Sequence, residues 1–316
     1  MKSDIWPRDY VETHDGLGCA VVSTVVIPGR YVVTPRYFRK PGSNARQTGW
    51  RKLAVGDCPQ ELQSLVDDSE SEVAALGCAL PVLDPSSIRK HYSARATVSQ
   101  LLGHFEPADT HWAKAQKVLR LLVQAGVPAT QLGITGSILI GAHHAASDLD
   151  FVAYSRPAFR QIQSIVEMGG ELGHMSRTDW LNSFQRRAAS ISFEDYVWHE
   201  SRKRNKVIVD GTKVDFGLQS VPESWTPPKH AKKLRRVRFN ARVLGSEDAF
   251  DTPARWIVDW ETAREVICWT ATYVGQAFEG ERVEVAGWLE ETDRGLQVVV
   301  GTSREAAGEF IRVLKE

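Results

Sequence analysis

Residues 132–154 read LGITGSILIGAHHAASDLDFVAY, and this stretch limits the possible folds more than any other. An apolar strand, Leu132 to Thr135, runs into a turn at Gly136-Ser137, and a second strand follows in which Asp148 and Asp150 alternate with Leu149 and Phe151. Side chains two apart on a strand share a face, so the two carboxylates project together while their neighbours enter the core. Like charges that close repel unless a cation lies between them, and a hard divalent ion, magnesium or manganese, prefers carboxylate oxygens. A third carboxylate of the same kind comes later. KVIVDGTKVDFGL (206–218) reads as a hairpin turning at Asp210-Gly211, with Asp215 set between Val214 and Phe216. Asp210 itself belongs to the turn, where a tight bend favours Asp or Asn beside glycine. Lys213 shares a strand face with Asp215, placed to neutralise phosphate or to pair with its neighbour. A glycine where strand meets helix lets backbone amides approach a phosphate, and the Ser137 hydroxyl adds a donor.

The surrounding elements follow from periodicity. DTHWAKAQKVLRLLVQAGVP (109–128) places Trp112, Ala115, Val118, Leu119 and Leu122 on one helical face, with Asp109 or Thr110 as cap and Gly126 and Pro128 as the stop. SRPAFRQIQSIVEMGG is a helix with Pro157 near its start and Phe159, Ile162, Ile165 and Val166 turned inward. Ahead of these, GCAVVSTVVIPGRYVVTPRYF reads as two strands around Pro28-Gly29, residues 41–50 as a polar loop, and residues 59–77 as a helix. No chemistry stands out in this N-terminal part. Beyond residue 229 the sequence turns basic: Arg236, Arg238, Asn240 and Arg242 alternate with Val237, Phe239, Ala241 and Val243, giving a strand with one basic and one apolar face. Residues 281–301 form a second hairpin around Asp293 to Gly295, and SREAAGEFIRVLKE is expected to be an amphipathic helix.

The order apolar strand, Gly-Ser, short helix, Asp-apolar-Asp-apolar and a later strand Asp resembles the DNA polymerase β-type nucleotidyltransferase superfamily, in particular its stand-alone domain proteins of archaea and some bacteria. The likeness covers roughly residues 110–220. It implies that Asp148 and Asp150 are paired metal ligands. It makes Asp215 the third carboxylate, which helps deprotonate the incoming hydroxyl, and it gives the nucleotide's β- and γ-phosphates to Gly136 and Ser137. Combined with the flanking patterns, the expected fold is α+β. A nucleotidyltransferase mixed sheet with helices (106–228) is flanked by a β-rich N-terminal domain (1–105) and a small, basic, β-barrel-like C-terminal domain (229–316) of OB-like form. The expected chemistry moves a nucleoside monophosphate from an NTP to an acceptor hydroxyl with magnesium or manganese, releasing pyrophosphate. RNA is the expected acceptor, a tRNA 3′ end among the options, with Arg236, Arg238 and Arg242 on its phosphates and Trp225, Phe239, Trp256 and Trp260 near enough in sequence to stack bases. Two alternatives stay open: a protein or small-molecule hydroxyl as acceptor, and an inactive RNA-binding module on the same fold.

Composition adds bounds. Lys plus Arg and Asp plus Glu both total 39, so overall charge selects no polyanionic partner and local charge must decide. Cys19, Cys58, Cys78 and Cys268 are dispersed without zinc spacing and read as reduced thiols. Neither a signal-peptide core nor an apolar run of membrane-spanning length occurs, so the expected location is the cytoplasm. His143 and His144 fall in the loop before Asp148, and Arg202, Lys203, Arg204 and Lys206 precede the Asp215 hairpin. These are secondary candidates for contact with a nucleotide or with a nucleic-acid backbone.

Overall fold

A computed structural model describes residues 5–24, 26–39, 49–53, 80–103, 106–187, 189–220, 225–302 and 307–315. The expected helix at 59–77, most of the loop at 41–50, and Cys58 and Cys78 lie outside these residues. Two compact units result, one taking the chain up to His174 together with Lys206–Gln219, the other Met175–Asn205 together with the chain from Ser220 onward.

In the first unit, β1 (Tyr10–Thr13), β2 (Leu17–Ser23), β3 (Tyr31–Arg39), β4 (Trp50–Lys52), β5 (Val82–Leu83) and β6 (Ile88–Tyr92) form one sheet in the order β4-β3-β2-β1-β6, with β5 on β3. The β2–β3 pair is antiparallel across the expected turn, where Gly29 has a φ of 77°. Helix α1 (Ala94–Leu102) follows, capped by Ser93, and α2 (Thr110–Gln124) is capped by Asp109, whose Oδ1 accepts from the amides of His111 and Trp112. Ala115, Val118, Leu119 and Leu122 are buried as the periodicity requires. A second sheet then forms from β7 (Leu132–Thr135), β8 (Leu149–Ala153), β9 (Lys206–Val209) and β10 (Thr212–Leu218), in the order β7-β8-β10-β9. The four-residue helix α3 (Gly136–Leu139) lies between β7 and β8, and α4 (Arg156–Met168) packs against β8 and β10 through Phe159, Ile162 and Val166. The β9–β10 turn has positive φ at both Asp210 (46°) and Gly211 (73°), the geometry that suits a two-residue hairpin.

In the second unit, α5 (Arg177–Arg187) and α6 (Phe193–Arg202) accompany six strands: β11 (Ala231–Gly245), β12 (Ala254–Val258), β13 (Glu265–Cys268), β14 (Arg282–Thr292), β15 (Gly295–Val300) and β16 (Phe310–Val313). The chain of pairings β11-β12-β13-β15-β14 returns to β11 and closes a small barrel, with β16 pairing with the first part of β14 on the edge that β15 takes over its last part. All pairs in the ring are antiparallel except β13 with β15. The fold is therefore α+β, with a mixed sheet, helices and a small closed barrel-like sheet.

The expected C-terminal helix is corrected by β16. Phe310 to Val313 pair antiparallel with Ala286 to Val283. Burial of Phe310, Ile311 and Val313 on a strand edge that would otherwise be open outweighs helix propensity in so short a segment.

His199 on α6 is buried in this unit, its Nδ1 3.1 Å from the Gln276 carbonyl and its Nε2 3.3 Å from the Val313 amide. Nδ1 thus donates and Nε2 accepts, which is the neutral ring. Burial, reinforced by Lys203 and Arg202, depresses its pKa from 6.5 to about 3. The folded ring stays neutral while the unfolded one protonates, so its contribution is complete above about pH 6.5 and is lost as pH falls toward about 3. Urea unfolding should show about 2 kcal/mol less stability at pH 5 than at pH 7 from this group. A His199→Asn variant should lose that share of the pH dependence, and an unchanged slope would rule this origin out.

Candidate active site

Three half-buried aspartates lie on or beside neighbouring strands of the β7-β8-β10-β9 sheet. Burial alternates along β10, so Val214 and Phe216 face the core while Lys213 and Asp215 face outward. On β8, Leu149 and Phe151 are buried and Asp150 is half-exposed, with Asp148 just ahead of the strand. The parallel pairing of β8 with β10 sets Asp150 directly opposite Asp215, and the antiparallel β7 sets Thr135 opposite Asp150. Sixty-odd residues of sequence separation thus vanish in one strand register.

The glycine of the turn is required twice over. Gly136 has a φ of 75°, and a Cβ there would fall 2.3 Å from Asp150 Oδ2. The backbone of the Gly136-Ser137 turn is therefore packed directly against the carboxylate. Replacement by alanine should cost about 1–3 kcal/mol from backbone strain and the clash. By pushing Asp150 aside it should also lower any activity of the site at least about a hundredfold. Thermal melting and turnover of Gly136→Ala check both, and near-normal turnover would remove Asp150 from the site.

Cations surround the acids. Lys213 Nζ lies 2.5 Å from Asp215 Oδ2 and 3.1 Å from Asp148 Oδ2, so one ammonium bridges two of the three carboxylates. Lys206 is buried directly across β9 from Asp215. Among the described residues, no three His, Cys, Asp or Glu side chains converge at metal-ligating spacing. The donor set still suits a hard divalent cation. All three groups are aspartates on neighbouring strands, and Asp148 and Asp215 already share one positive charge through Lys213. To ligate an ion together they would have to turn from Lys213.

The N-terminal sheet reaches this site. Thr135 Oγ1 donates to the Arg8 carbonyl at 2.6 Å, which ties the turn before β1 to the residue ahead of Gly136. Arg8 has a φ of 77°, unusual for a residue other than glycine. Its neighbour Asp9 is fully buried and accepts from the amides of Trp6 (2.9 Å) and Ala94 (2.8 Å) and pairs with His91 (2.7 Å). Trp50, fully buried on β4, donates from Nε1 to the Ile140 carbonyl at 3.1 Å and packs with Tyr37, Tyr10, Leu139 and Ala142. Nothing in the sequence singled out Arg8, Thr135 or Trp50. The Trp6-Pro7 pair marks a turn, but no local pattern discloses a left-handed arginine.

Several secondary candidates have partners within the chain. His143 is buried, its Nε2 2.7 Å from Asp109 Oδ2, and it fixes the loop to the cap of α2. His144 is exposed, and its Nδ1 accepts from the Ala146 amide. In the second unit Lys203 is buried between Glu200 and the Thr272 carbonyl, and Arg202 pairs with Glu281. The barrel carries its basic face as the alternation required: Arg236, Arg238 and Arg242 are exposed, while Val237, Phe239, Ala241 and Val243 are buried. Arg238 Nε is 2.6 Å from Glu284 Oε1, Arg236 lies 5.2 Å from the Trp288 ring centre, and Arg242 stands opposite Arg282. The expected stacking aromatics are mostly spent inside. Trp225, Trp256 and Phe239 are buried, and Trp260 stacks on Phe239 at 3.8 Å. Trp288, half-buried, lies opposite Arg236 on the basic face. Cys19 and Cys268 are free and buried, and burial pushes each thiol up to about 12. Among the described residues no helix is long and apolar enough to cross a membrane.

No family model matches the chain, and no solved structure matches it. It is similar to an uncharacterised protein of Methanocaldococcus jannaschii, 27% identical over an alignment of 336 residues that covers 97% of this chain and 98% of the relative. The likeness thus extends through both units.

Proposed function

We propose that the protein is a metal-dependent nucleotidyltransferase, built on the nucleotidyltransferase fold, that moves a nucleoside monophosphate from an NTP to an acceptor hydroxyl. The observation that carries the reading is the register of Asp150 against Asp215, with Asp148 beside them and the Gly136-Ser137 backbone against Asp150. Asp148, Asp150 and Asp215 would hold magnesium or manganese. The bound ion supplies Lewis-acid stabilisation of the triphosphate and lowers the pKa of the attacking hydroxyl. Asp215 takes part in removing the hydroxyl proton as its oxygen attacks the α-phosphorus. The bond from the α-phosphorus to the bridging oxygen breaks, and pyrophosphate leaves with that electron pair. Amides of the Gly136-Ser137 turn and the Ser137 hydroxyl bind phosphate oxygens. Lys213, which lies between Asp148 and Asp215, would be placed to neutralise the triphosphate.

RNA is the proposed acceptor, carried by the barrel. The strand order first-second-third-fifth-fourth, closing on the first with the third and fifth parallel, supports reading the small barrel as OB-like, a form used for single strands. Arg236 and Arg242 would take phosphates, Arg238 would do so in competition with Glu284, and Trp288 offers a ring for stacking. A second reading, an RNA-binding protein with an inactive site, draws support from Lys213, which already neutralises Asp148 and Asp215. The deciding experiment incubates the protein with each α-labelled NTP, magnesium or manganese, and total cellular RNA and protein. Label entering RNA supports the first reading. Label in protein moves the acceptor to a side-chain hydroxyl. Absence of label, with salt-sensitive RNA binding retained, favours the second reading.

A further inference from the structure

The basic face of the barrel holds a cross-strand pair of like charges. Arg242 on β11 stands directly opposite Arg282 on β14, and both are exposed. Residues paired in this way keep their Cβ atoms roughly 4.5–5.5 Å apart, where like charges are destabilising. Neither guanidinium forms an ion pair among the described residues. The same face treats other arginines differently: Arg238 and Arg312 both pair with Glu284.

A cavity of about 260 Å³ opens at the pair, lined by Asn240, Ala241, Arg242, Asp259 and Arg282. This falls short of the roughly 300–1,000 Å³ of sites that enclose a whole small molecule, and it suits one phosphate with its sugar. Asp259 is held in the wall by two bonds to one residue. Its amide donates to the Arg242 carbonyl at 3.1 Å, and its Oδ1 accepts from the Arg242 amide at 2.6 Å. The side chain thus takes the place of a strand carbonyl just where β12 has ended. Its second oxygen, Oδ2, accepts no hydrogen bond among the described residues.

Two guanidinium forks attract an anion, while a carboxylate between the same walls repels a ligand that is anionic throughout. The set fits an anionic group beside a neutral hydroxyl donor. A ribonucleotide carries both, since its 2′-hydroxyl neighbours a backbone phosphate, and a deoxyribonucleotide lacks the hydroxyl. The face also continues along β11 through Asn240 and Arg238 to Arg236, with Trp288 opposite, roughly 20 Å at about 3.3 Å per residue. Such a length suits a strand of nucleotides better than a single one.

We propose that Arg242, Arg282 and Asp259 form a ribonucleotide subsite. The arginines take a backbone phosphate and Asp259 accepts from the adjoining 2′-hydroxyl, so that the barrel selects RNA over DNA. The subsite deepens the reading of the barrel as the carrier of an RNA acceptor and rests on it, but its test needs neither NTP nor metal.

The test is fluorescence anisotropy of the full chain with end-labelled oligouridylate of about ten nucleotides and with its 2′-deoxy counterpart, which differs only in the hydroxyls. Wild type should prefer the ribose strand by about tenfold. Arg242→Gln and Arg282→Gln should each weaken both strands by about tenfold and lower the salt slope by about one, while melting no lower than wild type once the like charge is gone. Asp259→Asn keeps an oxygen for the Arg242 amide and removes a repelling charge. It should therefore bind the deoxy strand at least as well as wild type does, and its preference for ribose should shrink severalfold. Equal affinity of wild type for the two strands overturns the proposal, as does full ribose preference in Asp259→Asn or undiminished binding by both folded arginine variants. Ribose preference that depends on these residues, in a protein that transfers no label, would sustain the subsite and count against nucleotidyl transfer alone.

Discussion

Asp150→Asn should reduce the proposed nucleotidyl transfer by at least about a thousandfold, equivalent to roughly 4 kcal/mol of transition-state stabilisation. The residue sits on β8 between β7 and β10, opposite Thr135 on one side and Asp215 on the other, with the Gly136 backbone against its carboxylate. Asparagine keeps the shape, so the strand register and the packing of Leu149 and Phe151 persist. What disappears is a negative charge from a site proposed to share a divalent cation among three. Manganese affinity should therefore fall at least about tenfold, while the melting temperature stays within a few degrees or rises as repulsion with Asp215 is relieved. Single-turnover transfer, manganese titration and melting curves separate the effects. Retention of more than about a tenth of the rate would leave this carboxylate with a structural role and withdraw the reaction from this face.

Trp50→Ala should cost about 3–5 kcal/mol of stability, much of what a domain possesses. The indole is fully buried, edge-on to Tyr37 at 6.4 Å, with the Arg39 guanidinium 4.3 Å from its centre. Gly18 leaves space for it, since a Cβ there would come within 3.0 Å of the ring. Truncation opens a cavity that the surrounding sheet cannot fill. It also strands the Ile140 carbonyl, which accepts from Nε1. Because Ile140 follows α3, the damage extends to the segment carrying Ser137, and activity should decline even under conditions where the variant is folded. Trp50→Phe preserves most of the packing and loses the hydrogen bond, so about 1–2 kcal/mol is expected. Urea unfolding monitored by circular dichroism measures both, and a loss below about 1 kcal/mol for Trp50→Ala would show that the contact with Ile140 does not hold this region together.

Removing charge at the centre and bulk at the edge of one unit should thus give opposite profiles, inactive but stable against unstable and less active. That contrast, once measured, would assign the acids to chemistry and the indole to architecture.

Local patterns determined a good deal here. The caps and apolar faces of α2 and α4, the Asp210-Gly211 turn and the inward–outward alternation of β11 all depend on contacts within a few residues, so spacing and turn chemistry expose them. The same holds for Asp150 and Asp215 as half-exposed acids between buried neighbours. The tail at Phe310 to Val313 was illegible for the opposite reason. Its conformation is decided by the open edge of β14, a partner that sequence periodicity does not contain. The stacking aromatics were misplaced likewise: whether Trp225 and Trp256 face solvent or core depends on how the barrel closes.

The candidate site divides along the same line. Sequence alone determined which of these side chains share a face, because alternation in a strand fixes the face of each residue relative to its neighbours. Tertiary structure alone decided that Asp150 stands opposite Asp215, that Lys213 bridges Asp148 and Asp215, and that Arg8 is tied to Thr135. Strand partners and register are set by the burial of whole faces and by hydrogen bonds between segments far apart in the chain, so no short window of sequence holds that information.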